Sequence, residues 1–231
     1  MTPGAATAHG GPLADRPGDA PVVLFGGTFD PPHRRHLELL KGVDALLRAK
    51  QAIVIPAWRN PQRGEPGASG RDRFAMASLA FGGMPGVVVS PMELDLGAPS
   101  YSIDTVRRIL AMQETGEVMR GPLRLLIGSD QALNFTTWRD WADLAALATP
   151  AVVLRPPHTR EDWPALVRAR HGEQWAPRWL SWTLPIDPVD VSGTDIRERL
   201  AKGEPLGDRL PEAVERYVRS AGLYGVTPAR S

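Results

Sequence analysis

The sequence predicts an α/β fold, a doubly wound and mostly parallel sheet that ends in a small C-terminal helical part. Two observations carry this. Apolar runs without polar alternation, such as Val22-Val23-Leu24-Phe25 and Ala52-Ile53-Val54-Ile55, read as strands buried on both faces. Stretches of helical period separate such runs, so strands and helices alternate along the chain. With 231 residues and 42% hydrophobic content, there is enough apolar surface for one such domain.

Residues 1–21 are rich in Gly, Pro and Ala and lack both a basic n-region and an apolar h-region. They are expected to form a flexible extension and not a signal peptide, with His9 a solvated tail residue. Residues 22–231 are expected to form a single domain. The first strand, 22–25, runs into the glycine pair Gly26-Gly27. A helix is expected over 34–49, with Leu37, Leu40, Val43 and Leu47 on one face. A second strand, 52–55, stops at Pro56 and completes a βαβ unit whose crossover should be right-handed. The stretch 60–70 carries two prolines and three glycines and is expected to be a mobile loop. A helix over 71–81, a strand over 87–89, a helix over 102–113 and a strand over 123–127 follow, the last entering Gly128. Then come a helix over 141–148, a strand over 151–154 and a further strand over 179–184. Helices over 194–202 and 211–221 complete the pattern. Trp163, Trp175, Trp179 and Trp182 are expected to be structural, and His158 and His171 to lie at the surface.

Composition excludes several classes of function. The formal net charge is +1 with both signs interspersed, which argues against a strongly basic nucleic-acid binder. The sequence pI of about 8.2 does not alter this. There is no cysteine, so disulfides, thiolate chemistry and cysteine-rich zinc sites are excluded, in keeping with a reducing cytoplasm. No apolar run approaches the roughly 20 residues of a membrane-spanning helix.

In a doubly wound sheet, ligands bind beyond the carboxyl ends of the strands. Gly26 and Gly27 sit at that end of the first strand, where the missing side chains let a ligand approach the backbone. Pro31 and Pro32 stiffen the turn. His33 and His36 follow, three apart at a helix start, and so share a face. The free N–H groups of the helix N-terminus favour a phosphate there. A solvated helix start and a metal-binding pair are the competing readings of two such histidines. No third ligand cluster with zinc-site spacing accompanies them. Near the C-terminus stands Val191-Ser192-Gly193-Thr194-Asp195-Ile196-Arg197, in which Ser192 and Thr194 read as helix caps if taken alone.

The segment 26–36 resembles the signature G-[ST]-F-D-P-x-H-x-G-H of the nucleotidyltransferase superfamily with paired histidines. Arg35 stands where bacterial members carry glycine. The segment 191–197 resembles that superfamily's I-S-S-T-x-I-R, with Gly193 in place of the second serine. Pro99-Ser100-Tyr101-Ser102-Ile103-Asp104-Thr105 is similar to the P-S-Y-T-x-D-T stretch of bacterial nicotinate-nucleotide adenylyltransferases. Ile127-Gly128-Ser129-Asp130 and Trp138-Arg139-Asp140-Trp141 resemble their I-G-x-D and W-x-x-W segments, and Arg71, Arg73 and Met76 their R-x-x-M helix. Leu210-Pro211, Tyr217 and Gly222-Leu223-Tyr224 are similar to the family's tail. Asn60-Pro61-Gln62-Arg63 departs from its P-x-x-P-H-K. Taken singly, Trp138 reads as a packing aromatic, Asp130 as a turn residue and Arg155 as a surface charge.

The resemblance implies a Rossmann-like nucleotidyltransferase. It would move the adenylyl group of ATP to nicotinic acid mononucleotide, releasing pyrophosphate and forming nicotinic acid adenine dinucleotide in NAD biosynthesis. It implies catalytic roles for His33 and His36. It implies ATP binding by Gly26, Gly27, Thr28, Phe29, Gly128, Asp130, Ser192, Thr194 and Arg197, and acceptor binding by Tyr101, Ser102, Asp104, Trp138 and Arg155. Mg²⁺ would come with ATP, held mainly by phosphates and water. Nucleic acid and membrane are not expected partners. A sister enzyme acting on nicotinamide mononucleotide or phosphopantetheine, and a non-catalytic nucleotide-binding regulator, are the alternatives; the intact histidine pair argues against the regulator. Eukaryotic relatives carry a larger residue at the Arg35 slot, so glycine is not obligatory there, and Arg35 is expected to tolerate or assist ATP binding.

Overall fold

The computed structural model describes residues 20–58, 64–99, 101–186 and 192–227. The N-terminal extension up to residue 19, the segment 60–63, Ser100 and Val191 lie outside them.

Five strands form one parallel sheet: β1 (Val22–Gly27), β2 (Gln51–Pro56), β3 (Val87–Val89), β4 (Leu123–Gly128) and β5 (Ala148–Val153), in the order β3-β2-β1-β4-β5. The helices are α1 (Arg34–Leu47), α2 (Gly70–Phe81), α3 (Met92–Asp95), α4 (Ser102–Thr115), α5 (Ser129–Asn134), α6 (Trp141–Leu147), α7 (Trp163–His171), α8 (Ala176–Ser181), α9 (Gly193–Lys202) and α10 (Glu212–Ser220). Alternate strand residues point to opposite faces. On one face Val22, Leu24, Ile53 and Leu125 pack with Val106 and Ile109 of α4, Leu144 of α6 and Trp179 of α8. On the other, Val23, Phe25, Val54 and Leu126 pack with Leu40 and Val43 of α1, Met76 of α2, Ile196 of α9 and Val218 of α10. Both faces are covered, which is why the strands read as unbroken apolar runs.

After β1 the chain crosses to β2 on one side and later returns to add β4 on the other. The carboxyl ends of β1 and β4 therefore flank the topological switch point, where such sheets open a ligand crevice.

The sequence reading departs from the structure in several places. The stretch 179–184 is not a strand: residues up to Ser181 belong to α8, and Thr183 makes only an isolated parallel bridge to Val152. Its aromatic content mimics a strand, but Ala176, Trp179 and Trp182 are buried at three-residue spacing, which is the helical period. Helix α7 was not foreseen; it buries Trp163, Val167 and His171 at four-residue spacing. His171 is therefore not a surface residue. It stacks on Trp179 with centroids 4.5 Å apart, and its Nε2 lies 3.1 Å from the Ala132 carbonyl. His158 is half-buried, with Nδ1 2.8 Å from Ser129 Oγ. Helix α1 stops at Leu47 because Arg48 turns left-handed (φ 50°), and β5 begins at Ala148, directly after α6.

Candidate active site

A cavity of about 620 Å³ opens at the switch point. Its floor is the turn after β1. There Phe29 takes a positive φ of 50° and folds its ring back over Gly27, where a Cβ would stand 2.9 Å from the ring. Glycine is thus required at position 27 by this close approach. The Phe29 ring is 2% exposed and meets Phe25, Phe81 and His36 edge-on. It lines the cavity chiefly as a platform beneath His36.

His33 caps α1, and its ring stacks on that of His36 with centroids 3.8 Å apart. His36 Nδ1 accepts the His33 backbone N–H at 3.2 Å. In the neutral ring this leaves the proton on Nε2, so His36 is a hydrogen-bond donor through that atom. His33 is 5% exposed, and its pKa falls from 6.5 to about 3, mainly through burial and then through the positive charges of Arg35 and Arg155. A neutral imidazole can sit among guanidinium groups without repulsion and still offer an N–H.

Arginines reach the cavity from three elements: Arg35 from α1, Arg155 from the end of β5 and Arg197 from α9. Arg197 joins the two motif segments. Its Nη1 donates to the Asp30 carbonyl at 2.8 Å and its Nη2 to Thr194 Oγ1 at 3.1 Å. Ser192 caps α9, accepting the Thr194 N–H at 3.2 Å, so the N–H groups of that helix end face the cavity beside Ser192, Gly193 and Thr194. At the end of β4, a Cβ on Gly128 would lie 2.6 Å from Arg155 Cδ and 2.5 Å from Asp130 Oδ1. Arg155 thus crosses the strand end only because residue 128 is glycine, and its Nη1 comes within 3.8 Å of Asp130.

Of the residues singled out from sequence, His33, His36, Gly26, Gly27, Thr28, Phe29, Gly128, Asp130, Ser192, Thr194, Arg197 and Arg155 all line this cavity. Tyr101, Ser102, Asp104 and Trp138 do not. Tyr101, Ser102 and Asp104 lie instead at the start of α4, tied to Arg139, the residue after Trp138. Tyr101 lies under the Arg139 guanidinium at 5.0 Å, and Asp104 pairs with Arg107 at 3.9 Å and Arg139 at 3.6 Å. Trp138 packs on Phe135, and its indole N–H is buried without a partner among the described residues. Sequence reasoning missed Asp30, Gly64, Glu65 and Gln131, which also line the cavity. Only Asp30 carried a signal, its place inside the first motif.

Among the described residues, no three His, Cys, Asp or Glu side chains converge to hold a metal. Asp30, a carboxylate inside the cavity, is occupied by two backbone N–H groups and a tyrosine hydroxyl. This donor set is compatible with a divalent cation that enters with a polyphosphate.

A parallel α/β sheet whose switch-point cavity gathers a stacked imidazole pair, arginines and two helix N-termini is that of a nucleotide-binding transferase. The chain matches the family model described as Cytidylyltransferase-like over residues 24–199. It is 39% identical to the probable nicotinate-nucleotide adenylyltransferase of Bordetella petrii over 209 residues, covering 88% of this chain and 98% of that protein. In fold it is similar to Plasmodium falciparum nicotinic acid mononucleotide adenylyltransferase. The structure of that protein complexed with APC has a TM-score of 0.63 at 12% identity and covers 90% of this chain and 98% of the other. The structure complexed with NaAD has a TM-score of 0.62 at 13% identity and covers 89% and 98%. The chain belongs to the cytidylyltransferase-like family and, within it, to the nicotinate-nucleotide adenylyltransferases.

Proposed function

We propose that this protein transfers the adenylyl group of ATP to nicotinic acid mononucleotide, giving nicotinic acid adenine dinucleotide and pyrophosphate in NAD biosynthesis. The observation that carries this reading is the meeting of both motif segments in one cavity, joined by the Arg197 bond to the Asp30 carbonyl. The name of the Bordetella petrii relative and the NaAD bound to the Plasmodium falciparum enzyme support it. No described helix is long and apolar enough to cross a membrane, and we place the reaction in the cytoplasm.

The acceptor phosphate is anionic at neutral pH, so it needs no general base. Its oxygen bonds to the α-phosphorus while the bond from that phosphorus to the bridging oxygen breaks, and the electron pair leaves on pyrophosphate. Catalysis is then positioning and charge stabilisation. His36 Nε2–H and the neutral His33 ring donate to oxygens of the α-phosphate as charge builds there. Ser192, Thr194, Arg197 and the α9 N-terminus hold the β- and γ-phosphates. Gly26, Gly27, Thr28 and Phe29 shape the floor, and Gly128 and Asp130 lie beside the adenosine. Mg²⁺ entering with ATP would supply further neutralisation of the triphosphate charge.

The acceptor enters from the α4 side, where Tyr101, Ser102 and Asp104 lie and Trp138 follows, while Arg155 lines the cavity with the ATP-binding residues and serves the phosphates. The N–H groups of the first turn of α4 and the Ser102 hydroxyl receive the pyridine carboxylate, and Trp138 stacks on the ring. A carboxylate gains charge-assisted bonds there that a carboxamide cannot match.

Turnover with ATP and each of nicotinic acid mononucleotide, nicotinamide mononucleotide and phosphopantetheine tests this. The expected result is the highest kcat/KM for the acid mononucleotide. Equal values, or preference for the amide, reject the acceptor and leave adenylyl transfer standing. A folded protein inert with all three rejects both.

A further inference from the structure

The turn Leu223–Gly225 is nearly 200 positions from Asp30 in sequence, yet Tyr224 donates its hydroxyl to Asp30 Oδ1 at 2.7 Å, across 194 positions. Tyr224 has φ 57°, an uncommon value for a non-glycine residue, and left-handed Gly222 and Gly225 flank it. That backbone swings the ring against Gly67, where a Cβ would lie 3.2 Å from it. Burial and then the Asp30 charge push the phenol pKa up, so the hydroxyl keeps its proton and donates.

Asp30 has a full set of partners. Its side chain is 8% exposed. Oδ1 also accepts the Ala68 N–H at 3.0 Å, and Oδ2 accepts the Gly67 N–H at 2.7 Å. Arg197 is bonded to the neutral Asp30 carbonyl at 2.8 Å, while its Nη1 stays 3.9 Å from the carboxylate. The other nearby cation, Arg73, is buried and donates to the carbonyls of Thr28, Ala57, Trp58 and Ala68. Arg197 is the one of the two with room to move, its side chain being 35% exposed.

We propose that Tyr224 is a positioning residue for ATP: its hydroxyl occupies the Asp30 carboxylate, so Arg197 stays on the carbonyl and keeps its charge for the triphosphate. The proposal rests on the adenylyl-transfer reading. Without the hydroxyl, Oδ1 has one donor left in a nearly enclosed site. The Arg197 guanidinium, whose Nη1 lies 3.9 Å from Oδ2 of the same carboxylate, then closes onto it as a charge-assisted pair. The same N–H groups are withdrawn from the phosphate.

The test is ATP titrated calorimetrically into the full chain without acceptor, alongside steady-state kinetics with both substrates. In Tyr224→Phe the ring stays and only the hydroxyl goes. ATP binding should weaken about tenfold, the size of one hydrogen bond to a charged group. The KM for nicotinic acid mononucleotide should stay within about twofold. In an Arg197→Gln background, which has no guanidinium to capture, Tyr224→Phe should change ATP affinity by less than about twofold. Wild-type ATP affinity in Tyr224→Phe overturns the proposal. So does an equal weakening of both substrates, or the same tenfold loss in the Arg197→Gln background. A wild-type chain that binds no ATP overturns the adenylyl-transfer reading as well, whereas ATP binding that ignores Tyr224→Phe overturns the positioning role alone.

Discussion

Replacing Gly128 with alanine isolates what the glycine at the end of β4 does. Its backbone, φ −80° and ψ 160°, suits any residue, so the substitution brings no conformational strain. The added methyl would stand 2.6 Å from Arg155 Cδ, 3.0 Å from Arg155 Nε and 2.5 Å from Asp130 Oδ1. Those contacts are impossible, and the atoms that must yield are side-chain atoms, 27% and 45% exposed for Arg155 and Asp130. Overpacking costs about 1–3 kcal/mol in a closed core. Here the neighbours can swing into solvent, and alanine regains roughly 0.5–1 kcal/mol over glycine in an extended segment. Net stability should change by about 1 kcal/mol or less, a shift in Tm of about 2–4 °C for a chain of this size. ATP binding should change far more. With Arg155 displaced, one charge-assisted contact to an anion is lost, about 1.5–3 kcal/mol, or roughly ten- to a hundredfold in Kd. Thermal melting and ATP titration of the same variant separate the two effects. In an Arg155→Gln background the part of the Gly128→Ala loss that runs through the guanidinium should vanish, leaving only what the displaced Asp130 contributes. An ATP Kd within about twofold of wild type would refute the idea that Gly128 steers Arg155 into the cavity.

The sheet was legible because its strands are buried on both faces and bracketed by Gly and Pro: Val22 to Phe25 and Ala52 to Ile55 could hardly be anything else. Errors fell where aromatic content and period disagree. The tryptophans of α7 and α8 have the composition of strands but the spacing of helices, and His171 was assigned to the surface on residue type alone although it sits one helical turn beyond Val167. At the site, the cavity motifs were legible because each is local. His33 and His36 share one turn, and Ser192, Thr194 and Arg197 share another. The long-range ties that fix them were not. Nothing in the string of letters says that Tyr224 meets Asp30 or that Arg155 needs Gly128 beneath it, because both contacts are set by the packing of separate elements. The cluster around α4 was visible as residues, but the chain of ion pairs that links Arg139, Asp104, Arg107 and Asp140 was not.

The histidines and Arg35 yield the remaining predictions. His36→Ala should fold normally and lose about a hundredfold or more in kcat, as for removal of a charge-stabilising donor; near-normal turnover by the folded variant would remove His36 from the mechanism. His33 gives a pH signature. Its pKa is depressed to about 3, so between pH 6.5 and about 3 the unfolded chain takes up a proton that the folded chain does not. Stability should therefore fall as pH drops through that window, by up to about 1.4 kcal/mol per unit, and His33→Gln should flatten that limb in melting curves between about pH 4 and 7. Equal slopes in both proteins would show that His33 is not held neutral. Arg35 is the sharpest departure from the pattern that the first motif resembles, since bulk and charge stand where glycine leaves room. It lines the cavity in the first turn of α1, half-buried, and its field reaches the His33 ring. A guanidinium in that place could obstruct the nucleotide or attract it. Attraction should prevail, because the incoming group is a polyphosphate and Arg35, Arg155 and Arg197 frame its path. Arg35→Gly should then raise the KM for ATP but keep activity within about tenfold, roughly 1.4 kcal/mol of barrier. Wild-type affinity should also fall more steeply with added salt than that of the variant, because the lost contribution is a partly exposed charge. A fall in ATP KM by far more than tenfold in Arg35→Gly would show instead that the arginine blocks the site, and a salt response identical in both proteins would show that its charge does not reach the phosphates.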